Sequence, residues 1–428
     1  MPDSNLAPDA RQARRILLAS MVGTTIEFYD FYIYATAAVL VFPRLFFPKS
    51  DPAVQTLQSL ATFALAFVAR PIGAAIFGHF GDRVGRKTTL ITALMTMGVS
   101  TVCIGLLPTY ASAGVYAAVL LALCRVGQGI GLGGEWGGAV LLATENAPPG
   151  KHGWYGMFPQ LGAPLGLVIS IGAFLLISEH MTEAQLFGWG WRVPFLASAV
   201  LVAVGLYIRL QLVETPAFKR SIAQGERVRL PFSVVFGKFP LQLIAGTLGS
   251  TTTFLVFYLA NIFALSWGTN ALGFARQQFL IMQMLAAVFF GLLIPVAGWL
   301  ADRVGGRAML IVATLLIIAY GFSFAPLLGA HRTAAVFVFL ACGFGLSGLS
   351  YGPLGSALAT LFPTPVRYTG TSLAFNFAGI LGASLAAPVA TWLARHFGLA
   401  FVGYYLSVAG LITLIALLYI RGEKHDAT

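Results

Sequence analysis

The sequence has few charged residues. Asp, Glu, Lys and Arg make up 10% of its 428 residues, whereas a soluble protein of this length carries roughly 25%. Hydrophobic residues make up 58% of the chain, and the mean hydropathy is +0.83. This shortage of charge excludes an ordinary soluble domain, and it predicts a protein whose outer surface contacts membrane lipid.

Cysteine is scarce as well. Cys103, Cys124 and Cys342 lie far apart inside apolar runs, so they provide neither a disulfide framework nor the spacing of metal ligands. None of the histidines pairs with Cys or acidic residues at metal-binding spacing. We therefore expect no metal and no cofactor. The acidic clusters with which intramembrane transferases bind metal and diphosphate are also missing, so we do not expect an enzyme.

The charges that are present lie between the apolar runs. The net charge of +11 does not form one basic face, which argues against a nucleic-acid partner. With about 20 apolar residues for each crossing, we predict twelve membrane spans, numbered 1 to 12. They lie near 16–42, 55–80, 88–108, 112–143, 154–178, 190–212, 240–267, 276–300, 308–328, 333–360, 369–395 and 399–420.

The positive residues predict the orientation. Of the 26 Lys and Arg residues, 18 lie on the side of the termini and 6 lie on the opposite side. Positive residues are enriched in cytoplasmic loops, so both termini are expected in the cytoplasm. We expect a multi-pass protein of a bacterial inner membrane, monomeric and surrounded by lipid.

One stretch of the chain occurs twice. Gly78–Lys87 reads GHFGDRVGRK, and Gly298–Arg307 reads GWLADRVGGR, about half a chain length later. The repeat predicts two homologous halves of six spans each. We place the halves at 1–213 and 240–428, joined by a cytoplasmic linker at 214–239 with a short amphipathic helix.

Away from the span ends, five charged residues fall inside the predicted spans, where a charge costs about 3 kcal/mol on insertion scales. They are Glu27, Asp30, Arg70, Arg125 and Glu135. Glu27 and Asp30 share one face of span 1, and two carboxylates this close cannot both ionise at low cost. The three acids are therefore candidate proton sites, although a structural ion pair of Glu27 or Asp30 with Arg70 or Arg125 would also fit.

Other polar residues inside the spans are candidates for binding a substrate. A guanidinium at mid-depth suits a carboxylate ligand, and Arg70 and Arg125 both qualify; Arg70 would equally suit Glu27 or Asp30. The remaining candidates are neutral polar side chains within spans 1, 4, 7 and 11: Tyr34, Gln128, Asn261 and Asn376.

These motifs resemble a known family. GHFGDRVGRK resembles the loop 2–3 motif of the major facilitator superfamily, and the chain from Leu121 to Gly129 resembles its span 4 motif. More narrowly, IEFYDFYIYA at 26–35, RPIGAAIFGHFGDRVGRK at 70–87 and RVGQGIGLGGEWGGAVLLATENAP at 125–148 resemble the metabolite:proton symporters. That family includes shikimate, alpha-ketoglutarate and proline/betaine transporters, and the GGEWGG form is most similar to the shikimate transporter.

The resemblance implies an all-α major facilitator fold, with two six-helix bundles around one central site and alternating access. It also assigns a gating role to the duplicated loops. The first copy differs from the second at Arg86, which is replaced by Gly306, so the second gate is expected to be weaker. The gating residues are Asp82, Arg83, Arg86, Lys87, Asp302 and Arg303.

We therefore predict a secondary transporter that takes up a small organic acid or a similar metabolite together with protons. The alternative is a facilitator or an exporter on the same fold without proton coupling. In the first case the buried acids take part in transport, and in the second they are structural.

Overall fold

The computed structural model describes residues 10–83, 86–210, 231–363 and 366–419. Throughout these residues the chain forms helices joined by short turns. Eleven helices are long and apolar enough to cross a membrane, and a twelfth span is made by two helices that meet at 54°. The prediction of twelve spans is confirmed, and the bent pair is span 9.

Spans 1 to 6 form the N-terminal bundle. Span 4 is built from two helices, because the helix is interrupted between Gly133 and Trp136. The spans are Ala10–Leu40, Pro52–Arg83, Arg86–Leu106, Val115–Gly133 with Trp136–Glu145, His152–His180, and Val193–Leu210. Short helices connect them at Phe42–Leu45, Tyr110–Ala113, Glu183–Gly188 and Gly190–Arg192.

Spans 7 to 12 form the C-terminal bundle. Spans 7 and 11 each contain one π-helical turn, a local irregularity that is frequent at functional sites. The spans are Pro240–Tyr258 with Leu259–Phe263 and Ala264–Asn270, Arg276–Val304, Gly306–Gly321 with Phe324–Ala330, Thr333–Ala359, Arg367–Gly379 with Ile380–Ser384 and Ala386–His396, and Leu399–Tyr419.

Packing between the spans repeats in the two halves. Span 2 packs on span 4 and span 3 packs on span 6, while span 8 packs on span 10 and span 9 packs on span 12. Across the two bundles, span 5 packs on span 8 and span 2 packs on span 11. The bundles therefore meet along two symmetric seams, with the central space between them.

Glycines allow span 4 to lie directly against span 2. A Cβ atom at Gly129 would collide with the backbone of Ala66, and one at Gly133 would collide with the backbone of Arg70. Small residues at such crossings let helix backbones touch in lipid. The glycine-rich stretch thus fixes the position of the span 2 backbone from which Arg70 projects.

The linker lies mostly outside the described residues. Its described part includes the helix Pro231–Lys238, in which Val235 is buried while Phe232 and Phe236 are exposed. Exposed phenylalanines suit a segment at a membrane surface, and the amphipathic character of the helix stays a prediction. The boundaries of the linker and of the two halves remain predictions.

Candidate functional site

A cavity lies between the two bundles. Its walls come from spans 1, 2, 4 and 5 of one bundle and from spans 7, 8, 10 and 11 of the other. Most of the lining is aromatic, and among the described residues Glu27 and Arg70 are its only charged members. The remaining lining residues are Phe28, Tyr32, Leu132, Trp136, Ala163, Thr253, Phe254, Phe257, Tyr258, Phe290, Ser347, Tyr351, Phe375 and Asn376.

Arg70 is held in the cavity wall by two rings. Its guanidinium carbon lies 4.5 Å from the ring centroid of Phe31 and 4.4 Å from that of Phe67. The side chain is 3% exposed, and its Nε atom has no hydrogen-bond partner. No carboxylate of the described residues forms an ion pair with it, so the positive charge remains uncommitted.

Glu27 is paired with Arg209 rather than with Arg70 or Arg125. Nη2 of Arg209 donates to Oε1 of Glu27 and also forms an ion pair with Glu135. Nη1 of Arg209 donates to the backbone oxygen of Leu90 at 2.5 Å. Spans 1, 3, 4 and 6 thus meet at one buried guanidinium that serves two carboxylates. We call Glu27, Arg209 and Glu135 the charged triad.

Asp30 lies one turn away from the charged triad, with hydroxyl groups as its neighbours. Oγ of Ser198 donates to Oδ1 of Asp30 at 2.5 Å, and the hydroxyl of Thr101 also hydrogen-bonds to this carboxyl group. Nε2 of Gln128 donates to the same Thr101 hydroxyl at 2.8 Å. Asp30 is therefore linked through neutral groups to span 4.

The other end of this hydrogen-bonded chain is Arg125, which is fully buried. Its Nη1 donates to Oε1 of Gln128 at 2.8 Å, and its Nε donates to the backbone oxygen of Phe63 at 3.3 Å. The guanidinium also lies over the Tyr34 ring, 4.1 Å from the centroid. Arg125 is thus enclosed by span 4 and its aromatic neighbours, outside the cavity lining.

The break in span 4 contacts span 11 of the other bundle. Asn376 donates its amide hydrogen to the Gly133 oxygen at 3.1 Å, and the hydroxyl of Tyr368 donates to the Gly134 oxygen. Just beyond the break, Trp136 stacks on Phe375 with ring centroids 3.5 Å apart. An interrupted helix leaves carbonyl groups without intrahelical partners, and here the opposite bundle supplies donors for them.

The comparisons with known proteins agree with this architecture. Residues 16–229 match the family described as "Sugar (and other) transporter". The inner membrane metabolite transport protein YhjE of Escherichia coli (strain K12) is 53% identical over 418 residues, which cover 96% of this chain and 95% of that protein. The chain belongs to the metabolite transporters of the major facilitator superfamily.

Two further relatives show the range of this superfamily. The shikimate transporter of Escherichia coli (strain K12) is 35% identical over 424 residues, covering 96% of this chain and 95% of that protein. The solved structure of the proton:xylose symporter XylE bound to 6-bromo-6-deoxy-D-glucose has a TM-score of 0.74 at 18% identity, covering 96% of each chain. Members of the superfamily are transporters, and this chain is a multi-pass transporter rather than an enzyme.

One duplicated loop of this transporter joins the two bundles. Asp302, at the end of span 8, accepts hydrogen bonds from the backbone nitrogens of Gly153 at 2.6 Å and Trp154 at 2.9 Å. These are the first residues of span 5, where the helix dipole favours a carboxylate. Arg303 instead stacks on Trp299 of its own helix at 3.8 Å. The side chains of Asp82, Arg83, Arg86 and Lys87 lie outside the described residues.

A second inter-bundle contact lies at the opposite end of the transporter. Glu183, between spans 5 and 6, forms ion pairs with Arg44 at 3.4 Å and with Arg276 of span 8 at 3.3 Å. Gln277 also donates to the Ser178 oxygen at 3.1 Å. Nothing in the sequence pattern pointed to this cluster, because its members are isolated charges in separate loops.

The predicted site residues separate into two groups. Of the nine candidates for proton coupling and substrate binding, Glu27, Arg70 and Asn376 line the cavity. The others lie behind its walls: Tyr34 donates to Thr62 at 2.9 Å, and the backbone oxygen of Asn261 accepts from Gln283 at 2.7 Å. The residues found only in the structure are the aromatic lining and Arg209.

Arg209 was not among the buried charges expected from the sequence, although it lies within the predicted span 6. It is buried at the last turn of span 6 and balances the count of buried charges among the described residues, with three acids and three arginines. All six lie in the N-terminal bundle. The excess of one acid over the bases within the predicted spans was the signal that a further cation was needed.

Proposed function

We propose that this protein is a proton-coupled symporter of a bacterial inner membrane that takes up a small organic acid by alternating access, with both termini in the cytoplasm. The observation that carries the proposal is the uncommitted guanidinium of Arg70 in a cavity between the bundles. A buried arginine without a carboxylate partner is costly, and a bound carboxylate would stabilise it through paired hydrogen bonds.

The sum of the buried charges supports proton coupling. The formal charges of the six buried charged side chains add to zero. A substrate with one negative charge would leave the loaded carrier with one excess negative charge in a low-dielectric interior. One proton restores neutrality, and moving a neutral site through the membrane avoids the cost of an unbalanced buried charge.

The charged triad and Asp30 are the proposed proton sites. In the charged triad, two carboxylates share one guanidinium, so a proton bound there neutralises the excess negative charge. Glu27 belongs to both the charged triad and the cavity wall. We assign the proton site that senses the substrate to Glu27, with Glu135 as its partner across Arg209.

The two ends of the seam between spans 5 and 8 provide the proposed gates. On the predicted cytoplasmic side, Asp302 joins span 8 to the start of span 5, and at the opposite end Glu183 joins Arg276. Since these contacts cross between the bundles, each must break when that end opens. Substrate and proton are then exposed to one side at a time, and a single copy of the chain suffices.

The test is uptake of radiolabelled organic acids into proteoliposomes with an imposed pH gradient. We expect accumulation that is lost when a protonophore collapses the gradient, and a strong loss of gradient-driven accumulation in Glu27→Gln. The matched control is Glu179→Gln, since Glu179 is an exposed acid at the end of span 5. If Glu27→Gln, Asp30→Asn and Glu135→Gln all kept gradient-driven accumulation, the coupling assignment would be wrong. Uptake that survives collapse of the gradient would favour a facilitator.

A further inference from the structure

We infer that the substrate is a hydroxylated monocarboxylate, carried with one proton, rather than a dicarboxylate, a tricarboxylate or a zwitterion. This inference rests on the proposed function and goes on to name the charge and the polar groups of the substrate. It follows from three features of the cavity: the single free cation among its described residues, the charge sum around it, and the polar side chains on the opposite wall.

The first feature is that the cavity offers one cation only. Within the part of the chain that the structure describes, Arg70 is the only Lys or Arg in its lining. Arg209 is occupied by Glu27 and Glu135, and Arg125 is bonded to Gln128 and Phe63 outside the lining. Phe31 and Phe67 cover the guanidinium of Arg70 by cation–π contact, which leaves its hydrogen-bonding edge for one carboxylate. A second carboxylate would meet aromatic rings instead of a cation.

The second feature is the balance of charge in the loaded carrier. Because the buried charges already sum to zero, one monoanion and one proton keep the interior neutral. A dianion with one proton leaves a buried negative charge, which is strongly disfavoured. A zwitterion adds no net charge, so it would give no electrostatic reason for a proton to follow. A monoanion is the class that makes use of both Arg70 and the charged triad.

The third feature is the polarity of the opposite wall. The C-terminal bundle contributes no buried charge among the described residues, but it places the polar side chains of Thr253, Tyr258, Ser347, Tyr351 and Asn376 in the lining. The Ser347 hydroxyl donates to the Gly343 oxygen at 2.7 Å, and the Asn376 amide donates to the Gly133 oxygen. The oxygen of each side chain remains an acceptor, and the Asn376 amide keeps a second N–H as a donor. Hydroxyl groups on the substrate, which both donate and accept, match these side chains.

A binding experiment tests the class directly. Thermal unfolding of the purified full chain in detergent is measured with shikimate, quinate or gluconate, and with malate, citrate, glycine betaine or cyclohexanecarboxylate at equal concentration. We expect stabilisation by at least one hydroxylated monocarboxylate, and weaker stabilisation by cyclohexanecarboxylate, which has no hydroxyl. Greater stabilisation by malate, citrate or glycine betaine overturns the inference. The inference is also overturned if none of shikimate, quinate and gluconate stabilises the protein.

Two variants test which side chain binds each end of the substrate, the carboxylate end and the hydroxylated end. Arg70→Gln should weaken binding of the hydroxylated acid at least tenfold, while Arg395→Gln, which removes an exposed arginine, should leave it unchanged. Ser347→Ala, a small change at a buried hydroxyl, should reduce the preference for the hydroxylated acid over cyclohexanecarboxylate. Unchanged binding in Arg70→Gln, or an unchanged preference in Ser347→Ala, contradicts the assignment of that end.

Flux into proteoliposomes tests the charge balance and separates this inference from the proposed function. Uptake of the bound monocarboxylate should follow the pH gradient and should not change when a potassium diffusion potential is imposed alone. Stimulation by an inside-negative potential would show more than one proton for each anion. Gradient-driven accumulation of malate in its place would overturn this inference and leave proton symport standing. Binding of shikimate without gradient-driven accumulation would overturn proton symport and leave this inference standing.

Discussion

Arg209 gives the sharpest test of how the N-terminal bundle is held together. We predict that Arg209→Met strongly destabilises the folded protein, since Met keeps the length of the side chain and removes the charge. Removing one partner of a buried ion pair costs about 3–5 kcal/mol, because the remaining charge is left buried without compensation. Here the loss leaves two carboxylates, Glu27 and Glu135, and also removes the hydrogen bond to the Leu90 oxygen. We expect an effect near the upper end of that range.

The second step of this prediction is a rescue. In the double variant Arg209→Met with Glu135→Gln, the buried charges again sum to zero, so the double variant should be more stable than the single variant Arg209→Met. Two independent destabilising changes would instead add. The single variant should also regain stability as the pH falls, since protons bound by the unpaired carboxylates of the folded state neutralise them.

The measurement is thermal unfolding of the purified protein in detergent at several pH values. Arg395→Met, which removes an exposed arginine, is the control and should change stability by no more than about 0.5 kcal/mol. The reasoning is refuted if Arg209→Met is as stable as this control. It is also refuted if adding Glu135→Gln lowers stability further, because the charged triad would then not be an electrostatic unit.

Three other predictions concern contacts between helices. Asp302→Ala removes a helix-terminus contact worth about 1–2 kcal/mol, so cysteine labelling should show the predicted cytoplasmic end open more often; unchanged labelling would contradict a gating role. Gly133→Ala places a Cβ atom against the span 2 backbone and should abolish folding or transport, whereas Gly172→Ala, with nothing within 4 Å, should be tolerated in an expression and uptake assay. Tyr368→Phe removes one hydrogen bond between the bundles and should alter the uptake rate more than the unfolding temperature; the opposite order would indicate a structural bond.

The fold could be predicted from the sequence because its main signals are coarse. Length and hydropathy define the spans, and the repeat of Gly78–Lys87 at Gly298–Arg307 marks the two halves. Both signals survive errors of a few residues at each helix end. The interruption of span 4 was not predicted, because GLGGEWGG is compatible with a continuous helix that packs closely through its glycines.

The site was harder to predict because it depends on which helix faces meet. Arg70, Glu27 and Asn376 could be found, since a polar group inside a span is rare and costly. The aromatic lining, such as Tyr258 and Phe375, could not be separated from the many aromatic residues that face lipid or the protein core. Arg209 was missed because it lies at the end of a span, where an arginine commonly extends to the membrane surface.

The contacts within the N-terminal bundle and the contacts between the two bundles differ in kind, and the difference fits a carrier whose bundles move as units. The charged triad lies wholly within the N-terminal bundle, so its ion pairs do not have to break when the bundles separate. Around the cavity, the contacts between bundles are neutral hydrogen bonds at Gly133 and Gly134 and the stacked pair Trp136 and Phe375. A neutral hydrogen bond contributes about 0.5–1.5 kcal/mol, well below the cost of breaking a buried ion pair. The costly interactions thus hold one bundle rigid, and the bundles can separate by breaking only the weaker ones.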